Sequence, residues 1–342
     1  MRFLLASALG IVALAGVTAA NGQGNSQQPA AKAAAKPALN RDVLHVQVIL
    51  DHLGFSPGIL DGREGQSLTA ALKGYQIARQ LPVTGKIDQR TLEALHEHRA
   101  VRPTRTVRLT PEMLAGPFIR PWPQDPQAQA KLPTMGYRSA IEKLAEMYHT
   151  TPEVLIELNS PDTRLAAGVP VVFPGVTPTG GDFPADIKPD WRRTLTDLNV
   201  GATQPKAARI VVDKSDKVLR VFGRDGKLAA QFNVTTGSSR DPLPIGSWKI
   251  RGVAPNPEFH YNPKLFWDVS NTKPDALLPP GPNSPVGVVW IDLSKEHYGI
   301  HGTPEPHQIG RSESHGCIRL TNWDAARLAL MVDSSTAVVF QE

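Results

Sequence analysis

The chain has a single cysteine among its 342 residues, Cys317. No disulfide can form within it, and four-cysteine zinc sites are excluded. It also lacks any run of like charge: 37 Lys+Arg and 32 Asp+Glu are dispersed to a net +5, which excludes a basic nucleic-acid arm. Charged residues are only 20 % against 41 % hydrophobic, so whole-chain disorder is ruled out. Beyond the first twenty residues no apolar run is long enough to span a bilayer. Proline is the residue in excess. At 31 of 342 it stands near twice the usual share of ~5 %, which predicts many loops and linkers. The length suggests two or three domains.

Residues 3–20, FLLASALGIVALAGVTAA, are uncharged and follow Arg2. Small residues (Val17, Ala19, Ala20) end the run, and polar NGQGNSQQP follows. This pattern predicts a secretory signal peptide over residues 1–20 and a mature protein in the periplasm or cell envelope. The alternative is an uncleaved membrane anchor, because the stretch approaches the ~20 residues that span a bilayer. No cysteine follows it, so lipoprotein anchoring is excluded. In an oxidising compartment a lone cysteine is either buried and inert or kept for its reactivity.

Residues 21–39 form a low-complexity linker of Gln, Ala, Pro, Lys and Gly. In the segment 40–98, Val43, Val46, Ile49, Leu50 and Leu53 recur at helical spacing, and Gly54 is a stop. Leu68, Ala71, Leu72, Tyr75 and Ala78 mark a second helix; Asp88 can cap a third through Leu92 and Leu95. Residues 99–134 read as a Pro-rich linker. Over residues 135–175, Ile141, Leu144, Ala145 and Tyr148 form a helical face, Thr151-Pro152 starts another helix, and Val169–Val172 is a short strand. Residues 176–207 are again a linker, with a short helix at WRRTLTDLN.

From Arg209 the pattern becomes β. ARIVVD, VLRVFG and LAAQFNVTTG read as a meander, with Asp225-Gly226 a strong hairpin turn. WKIRGV, VVWIDL, YGIHGT and TAVVF are further strands, and Thr321 or Asn322 can cap a helix over WDAARLALMV. The long Pro/Asn-rich excursion 254–286 carries Phe259, Tyr261, Phe266 and Trp267 and suggests a lid or binding surface.

The chemistry concentrates in YGIHGTPEPHQIGRSESHGCIRL, residues 298–320, which holds Cys317 and three of the ten histidines. A thiol near its reference pKa of ~8.5 is only a few per cent thiolate at neutral pH. It needs a base or an electropositive setting, and His301, His315 and Arg319 supply candidates. The expectation is a thiolate held ionised by His301, sixteen positions earlier. Gly316 lets the chain turn and lets backbone N–H groups approach an oxyanion. Bland readings exist: a lone cysteine as a small buried hydrophobe, or zinc held by His301, His307, His315 and Cys317. The zinc reading lacks paired ligand spacing, since His297 and His301 share a gap of three on a predicted strand and turn. No metal and no cofactor is expected. His260, in FHYNP, is a substrate contact or a loop histidine.

IHGT, IGR and SHGCIRL, just before a capped helix at the chain end, resemble the L,D-transpeptidase catalytic domain (the YkuD-like family). The upstream TTG and LPIGSWKI fit as well, and the likeness covers 208–341. The resemblance implies a mainly-β, β-sandwich-like domain in which Cys317 is the nucleophile and His301 the base. Gly316, Gly302, His315 and Ser314 then form the oxyanion and orienting set, Gly302 holding His301 through its carbonyl. Arg319, Tyr298, Tyr261 and His260 are the expected substrate contacts. The spacing from His301 to Ser314 is slightly short, and Arg319 stands where other branches carry Asn.

Upstream, Leu53-Gly54, Asp61-Gly62, Tyr75-Gln76 and Gly85 resemble the signature of a small all-α peptidoglycan-binding domain, although Glu64 and Leu68 depart from it. Residues 137–175 resemble a lysin motif (LysM), a small α+β module of βααβ order that binds N-acetylglucosamine chains. Together these imply a multidomain cell-wall enzyme that joins a tetrapeptide donor to an amine acceptor with loss of D-Ala. Peptidoglycan stems and glycan strands are the expected partners, nucleic acid is not, and carbapenems should inhibit covalently. The alternatives are a peptidoglycan L,D-carboxypeptidase or hydrolase using the same pair, or a noncatalytic wall-binding protein.

Overall fold

The computed structural model describes residues 37–177, 182–265, 269–270 and 274–342. The expected signal peptide, most of the low-complexity linker, and Phe266 and Trp267 of the excursion lie outside the described residues.

Helix α1 (Arg41–His52) starts where Asn40 Oδ1 accepts from the Asp42 and Val43 N–H groups at 2.8 and 3.3 Å. It stops at Gly54, whose φ of +84° is open to glycine at low cost. Helices α2 (Gln66–Ala78) and α3 (Gln89–Leu95, capped by Asp88) pack on it around Leu50, Phe55, Leu72 and Tyr75. Buried Gln76 fixes the Gly85 turn. Its Oε1 accepts from the Gly85 N–H at 2.8 Å and its Nε2 donates to Thr84, Lys86 and Thr91.

The second unit is β1 (Thr104–Arg108), α4 (Pro126–Gln129), α5 (Ala140–Met147), α6 (Pro152–Leu158) and β2 (Pro170–Pro174). Strands β1 and β2 pair antiparallel, with Thr106 opposite Val172. Strand β1 thus lies inside the stretch expected to be linker, and the unit opens some thirty residues before position 135. The intervening residues form an arm carrying α4. Proline density around a five-residue strand hid it, because its hydrogen-bond partner is far along the chain.

Helix α7 (Pro189–Asp197) buries Trp191 and Leu195 in the core of the last unit. That unit contains β3 (Arg209–Asp213), β4 (Val218–Phe222), β5 (Leu228–Asn233), β6 (Gly246–Pro255), β7 (Phe259–Tyr261), β8 (Ala276–Leu278), β9 (Val289–Leu293), β10 (Gly299–His301), β11 (Ile318–Arg319), α8 (Asn322–Met331) and β12 (Ala337–Gln341). Eight strands form one mixed sheet in the order β11-β10-β9-β6-β12-β3-β4-β5. The long strand β6 carries the bend. Its first residues pair with β12, the register slips between Ile250 and Gly252, and the rest pairs with β9. Both halves therefore face one core, with Phe232, Ile291, Ile300, Ile318 and Phe340 packed around Trp323 of α8.

The excursion 254–286 contains the ribbon β7–β8, which packs against Trp122, Leu132 and Met135 of the arm. The units are not strung apart on linkers. Leu44 and Val48 of α1 enter the core of the second unit, and Leu228 of β5 enters that of the first. Where all three meet, Asp51 of α1 is buried with Arg327 of α8 (2.8 and 2.9 Å) and His149 after α5 (3.0 Å). Among the described residues no helix is long and apolar enough to cross a membrane.

Candidate active site

Strands β10 and β11 run parallel, with Ile300 opposite Ile318 and His301 opposite Arg319. One step earlier, Gly299 is level with Cys317, and its N–H donates to the sulfur. Alternate residues of a strand face opposite ways. Ile300 and Ile318 point into the core, so His301, Arg319 and Cys317 share the other face. His301 lies diagonal to the thiol, with Arg319 directly beside it.

The imidazole is buried and held on two sides. Its ring stacks on Trp290 of the adjacent strand, centroids 5.5 Å apart. The Gly302 carbonyl lies 2.7 Å from Nδ1 and can only accept, so Nδ1 carries the hydrogen and Nε2 keeps its lone pair. Burial, then the nearby Arg319 charge, pushes the imidazole down to about 3, against a weaker opposing pull from the Gly302 hydrogen bond. Burial pushes the Cys317 thiol up, offset in part by the Gly299 N–H and Arg319. Both shifts favour the uncharged forms and run against the expected thiolate–imidazolium pair, with burial the largest cause of each. The thiol donates to the His297 carbonyl at 3.7 Å.

The approach to Cys317 is shaped by Ser314. Its hydroxyl donates to the Cys317 carbonyl at 2.5 Å and accepts from the Gly316 N–H at 3.2 Å. Gly316 has φ +105°, and a Cβ there would lie 2.7 Å from the Tyr298 ring, so both backbone and space demand glycine. Because the Gly316 N–H is given to Ser314, it is not a free oxyanion donor in this state.

The TTG stretch pairs with the same segment. Thr235 and Arg319 exchange backbone hydrogen bonds at 3.0 and 2.9 Å, and Ser314 N–H donates to the Thr236 carbonyl at 3.0 Å. A Cβ on Gly237 would sit 2.1 Å from the Asp241 carbonyl. The Thr235 hydroxyl accepts from Gly310 N–H at 2.9 Å, which ties IGR to the site.

The structure thus brings together Cys317, His301, Gly302, Ser314, Gly316, Arg319 and Tyr298, with His315 next in chain to Gly316. His260 and Tyr261 sit elsewhere, on the ribbon packed against the arm, where His260 is 69 % exposed and 4.0 Å from Asp275. The long excursion had suggested a substrate contact; Phe259, Tyr261, Ala276 and Leu278 of its ribbon pack with Met135 and Trp122. Among the described residues no group of three or more His, Cys, Asp or Glu side chains could hold a metal ion. Trp290 and Thr235 escaped the sequence reading. Trp290 could have been found from strand register, and Thr235 carries no local signal beyond its place in TTG.

Residues 207–340 match the family described as L,D-transpeptidase catalytic domain (YkuD), and residues 40–95 match the putative peptidoglycan binding domain. The putative L,D-transpeptidase YkuD of Bacillus licheniformis is 28 % identical over 200 residues, 58 % of this chain and 91 % of that protein. A putative L,D-transpeptidase from the ATP synthase subunits region of Fuscovulum blasticum is 30 % identical over 129 residues, 38 % of this chain and 67 % of that protein. This chain belongs to the L,D-transpeptidase family. Within 57 residues, 17 % of this chain and 35 % of the relative, identity to the putative L,D-transpeptidase YkuD of Bacillus subtilis reaches 51 %. The L,D-transpeptidase domain holds Cys317 and His301, and the peptidoglycan-binding domain is the three-helix unit α1–α3.

Proposed function

We propose that Cys317 is the nucleophile and His301 the general base of an exported peptidoglycan transpeptidase. The observation that carries the reading is the shared face of β10 and β11. Thiol, imidazole and guanidinium project from that face, and His301 Nδ1 is committed to the Gly302 carbonyl so that Nε2 is left to take a proton. The thiol turns from the His297 carbonyl toward Nε2 as substrate enters.

Sγ then attacks the carbonyl carbon of the third residue of a donor tetrapeptide, and its proton passes to Nε2. The Cys317 amide stabilises the oxyanion, since the Gly316 N–H is taken; one such donor is worth roughly 10²–10³ in kcat. The bond to D-Ala breaks and its amine takes the proton from Nε2. An acceptor amine attacks the thioester, gives its proton to Nε2, and the sulfur leaves and recovers it. Arg319 Nε, buried and without a hydrogen-bond partner, is a donor for a substrate oxygen.

The β1–β2 unit, in which α5 and α6 precede β2, is assigned as a LysM-like glycan binder, and both upstream units raise the local substrate concentration. Export rests on the apolar stretch 3–20 and the small residues that end it.

The test is incubation of purified protein with disaccharide-tetrapeptide, followed by mass spectrometry. Crosslinked dimers that have lost D-Ala, absent with Cys317→Ala, are the expected result. Tripeptide monomers alone would establish the hydrolase instead. A wild-type protein that forms neither product nor a Cys317 adduct with a carbapenem would leave a noncatalytic wall binder.

A further inference from the structure

Helix α8 begins at Asn322, with Leu320 and Thr321 between it and the end of β11. Its cap is Thr321, whose hydroxyl accepts from the Asp324 N–H at 3.2 Å. Asn322, the other capping candidate, is thereby released for a different task. Its side chain is fully buried, and Oδ1 accepts from the Val288 N–H at 3.3 Å. The same oxygen lies against Gly302, since a Cβ added to Gly302 would stand 2.2 Å from it. Asn322 therefore packs directly against Gly302, whose carbonyl holds His301 Nδ1 at 2.7 Å.

Part of what fixes the Asn322 amide comes from outside the transpeptidase domain. Its Nδ2 donates to the Pro282 carbonyl at 3.0 Å and to Glu146 Oε1 at 2.8 Å. Glu146 stands on α5 of the β1–β2 unit, 176 positions away in sequence. It is buried, and the Tyr137 hydroxyl hydrogen-bonds it from the unit's own arm. A buried carboxyl costs free energy unless its bonds repay the lost hydration, and an apolar residue would bury more comfortably at a site with only a structural duty.

We propose that Asn322 and Glu146 are positioning residues for the catalytic base, Glu146 being supplied in cis by the glycan-binding-like unit. Docking of that unit is then a condition for chemistry as well as a tether. The inference rests on the reading of His301 as the base. It predicts that loosening Glu146 displaces the Gly302 carbonyl and lets the imidazole turn from Cys317.

The full-length protein tests this with Glu146→Gln, Glu146→Leu and Asn322→Asp. The measurements are D-Ala release from disaccharide-tetrapeptide, the pH profile of Cys317 alkylation by iodoacetamide, and the melting temperature. Glu146→Gln keeps an Oε1 acceptor, so its kcat should stay within about twofold of wild type. Glu146→Leu should lower kcat about tenfold with KM little changed, and its alkylation should lose the part of the profile that depends on His301. Asn322→Asp, which sets an acceptor against Glu146, should fall at least as far.

Should Glu146→Leu fail to fold, Tyr137→Phe removes one bond to Glu146, and kcat should drop about threefold. A Glu146→Leu or Tyr137→Phe protein that melts lower yet keeps wild-type kcat and alkylation profile would overturn the proposal. If wild type releases no D-Ala but its alkylation profile still changes with His301→Asn and Glu146→Leu, the transpeptidase reading fails and the positioning stands.

Discussion

At the scale of single residues, the site runs on desolvation rather than on an ion pair. Burial raises the thiol of Cys317 and lowers His301 to about 3, so both shifts favour the uncharged forms. Proton transfer must therefore accompany attack. The expected outcome is an alkylation rate that keeps climbing above the ordinary thiol range of ~8.5, with no plateau near neutrality. A plateau below pH 7 in a stopped-flow titration would show a thiolate–imidazolium pair instead. Glycine positions sharpen the same point. Gly302→Ala forces a Cβ to within 2.2 Å of Asn322 Oδ1, whereas Gly226→Ala meets open space and only the strain of φ +73°. The first should cost about 10² in kcat through misplaced His301. The second should cost about 1 kcal/mol of stability and leave kcat unchanged. Parallel kinetics and thermal melts on the two variants check this contrast.

Among the elements, α8 carries the most weight, since it follows the nucleophile directly and touches all three units. Its cap was legible in sequence: Thr321 stands before an apolar run, and Thr321→Ala should lower stability by about 1 kcal/mol, read as a lower melting temperature. Its later turn was not. Arg327 makes two hydrogen bonds to Asp51 of α1, which has His149 as its second partner. Burial alone would raise the Asp51 carboxyl, but Arg327 and His149 together hold it well below the ordinary carboxylate range. A depressed carboxylate stabilises the fold above its unfolded pKa of ~3.9 and loses that contribution as pH falls through the folded value. Arg327→Leu removes the main partner and strands a buried charge, an expected loss of roughly 3–5 kcal/mol in denaturant unfolding.

For the whole molecule, the shared cores and the junction make the three units one folding problem. Residues 207–342 alone would leave Arg327 without Asp51 and Asn322 without Glu146, and would bare Leu228. That fragment should melt at least about 10 °C lower or aggregate, as scanning fluorimetry and gel filtration will report. The junction also has a pH signature. Burial raises Glu146 to about 7, with Glu142 and Asp197 adding to it and the Tyr137 and Asn322 hydrogen bonds opposing it. Asp324 is raised to about 6 by burial, with Arg327 the leading opposing charge. Between about pH 4 and 7 the folded chain keeps protons at these two sites that the unfolded chain has released, so their contribution to stability declines as pH rises. His301, being depressed, works the other way below its unfolded value of ~6.5. The difference between wild type and Glu146→Gln isolates one carboxyl. The variant should gain relative stability from pH 5 to 8, by at most a few kcal/mol.

What local sequence determined was whatever a short window can encode. Asn40, Asp88, Thr151 and Thr321 cap the helices whose starts they mark, because a side-chain oxygen needs only the next turn of backbone. Asp225-Gly226 turns the meander, and SHGCIRL, IHGT and TTG named the segments that assemble around the thiol. The tertiary structure alone decided the partners separated by about sixty residues or more. Strand Thr104–Arg108 has no register until Pro170–Pro174 is present, and Asp51, Glu146 and Asn322 read as ordinary surface or cap residues until the units close. Burial made the same decision for the charges. Whether a thiol and an imidazole ionise depends on how much water the surrounding chain leaves them, and no motif states that quantity.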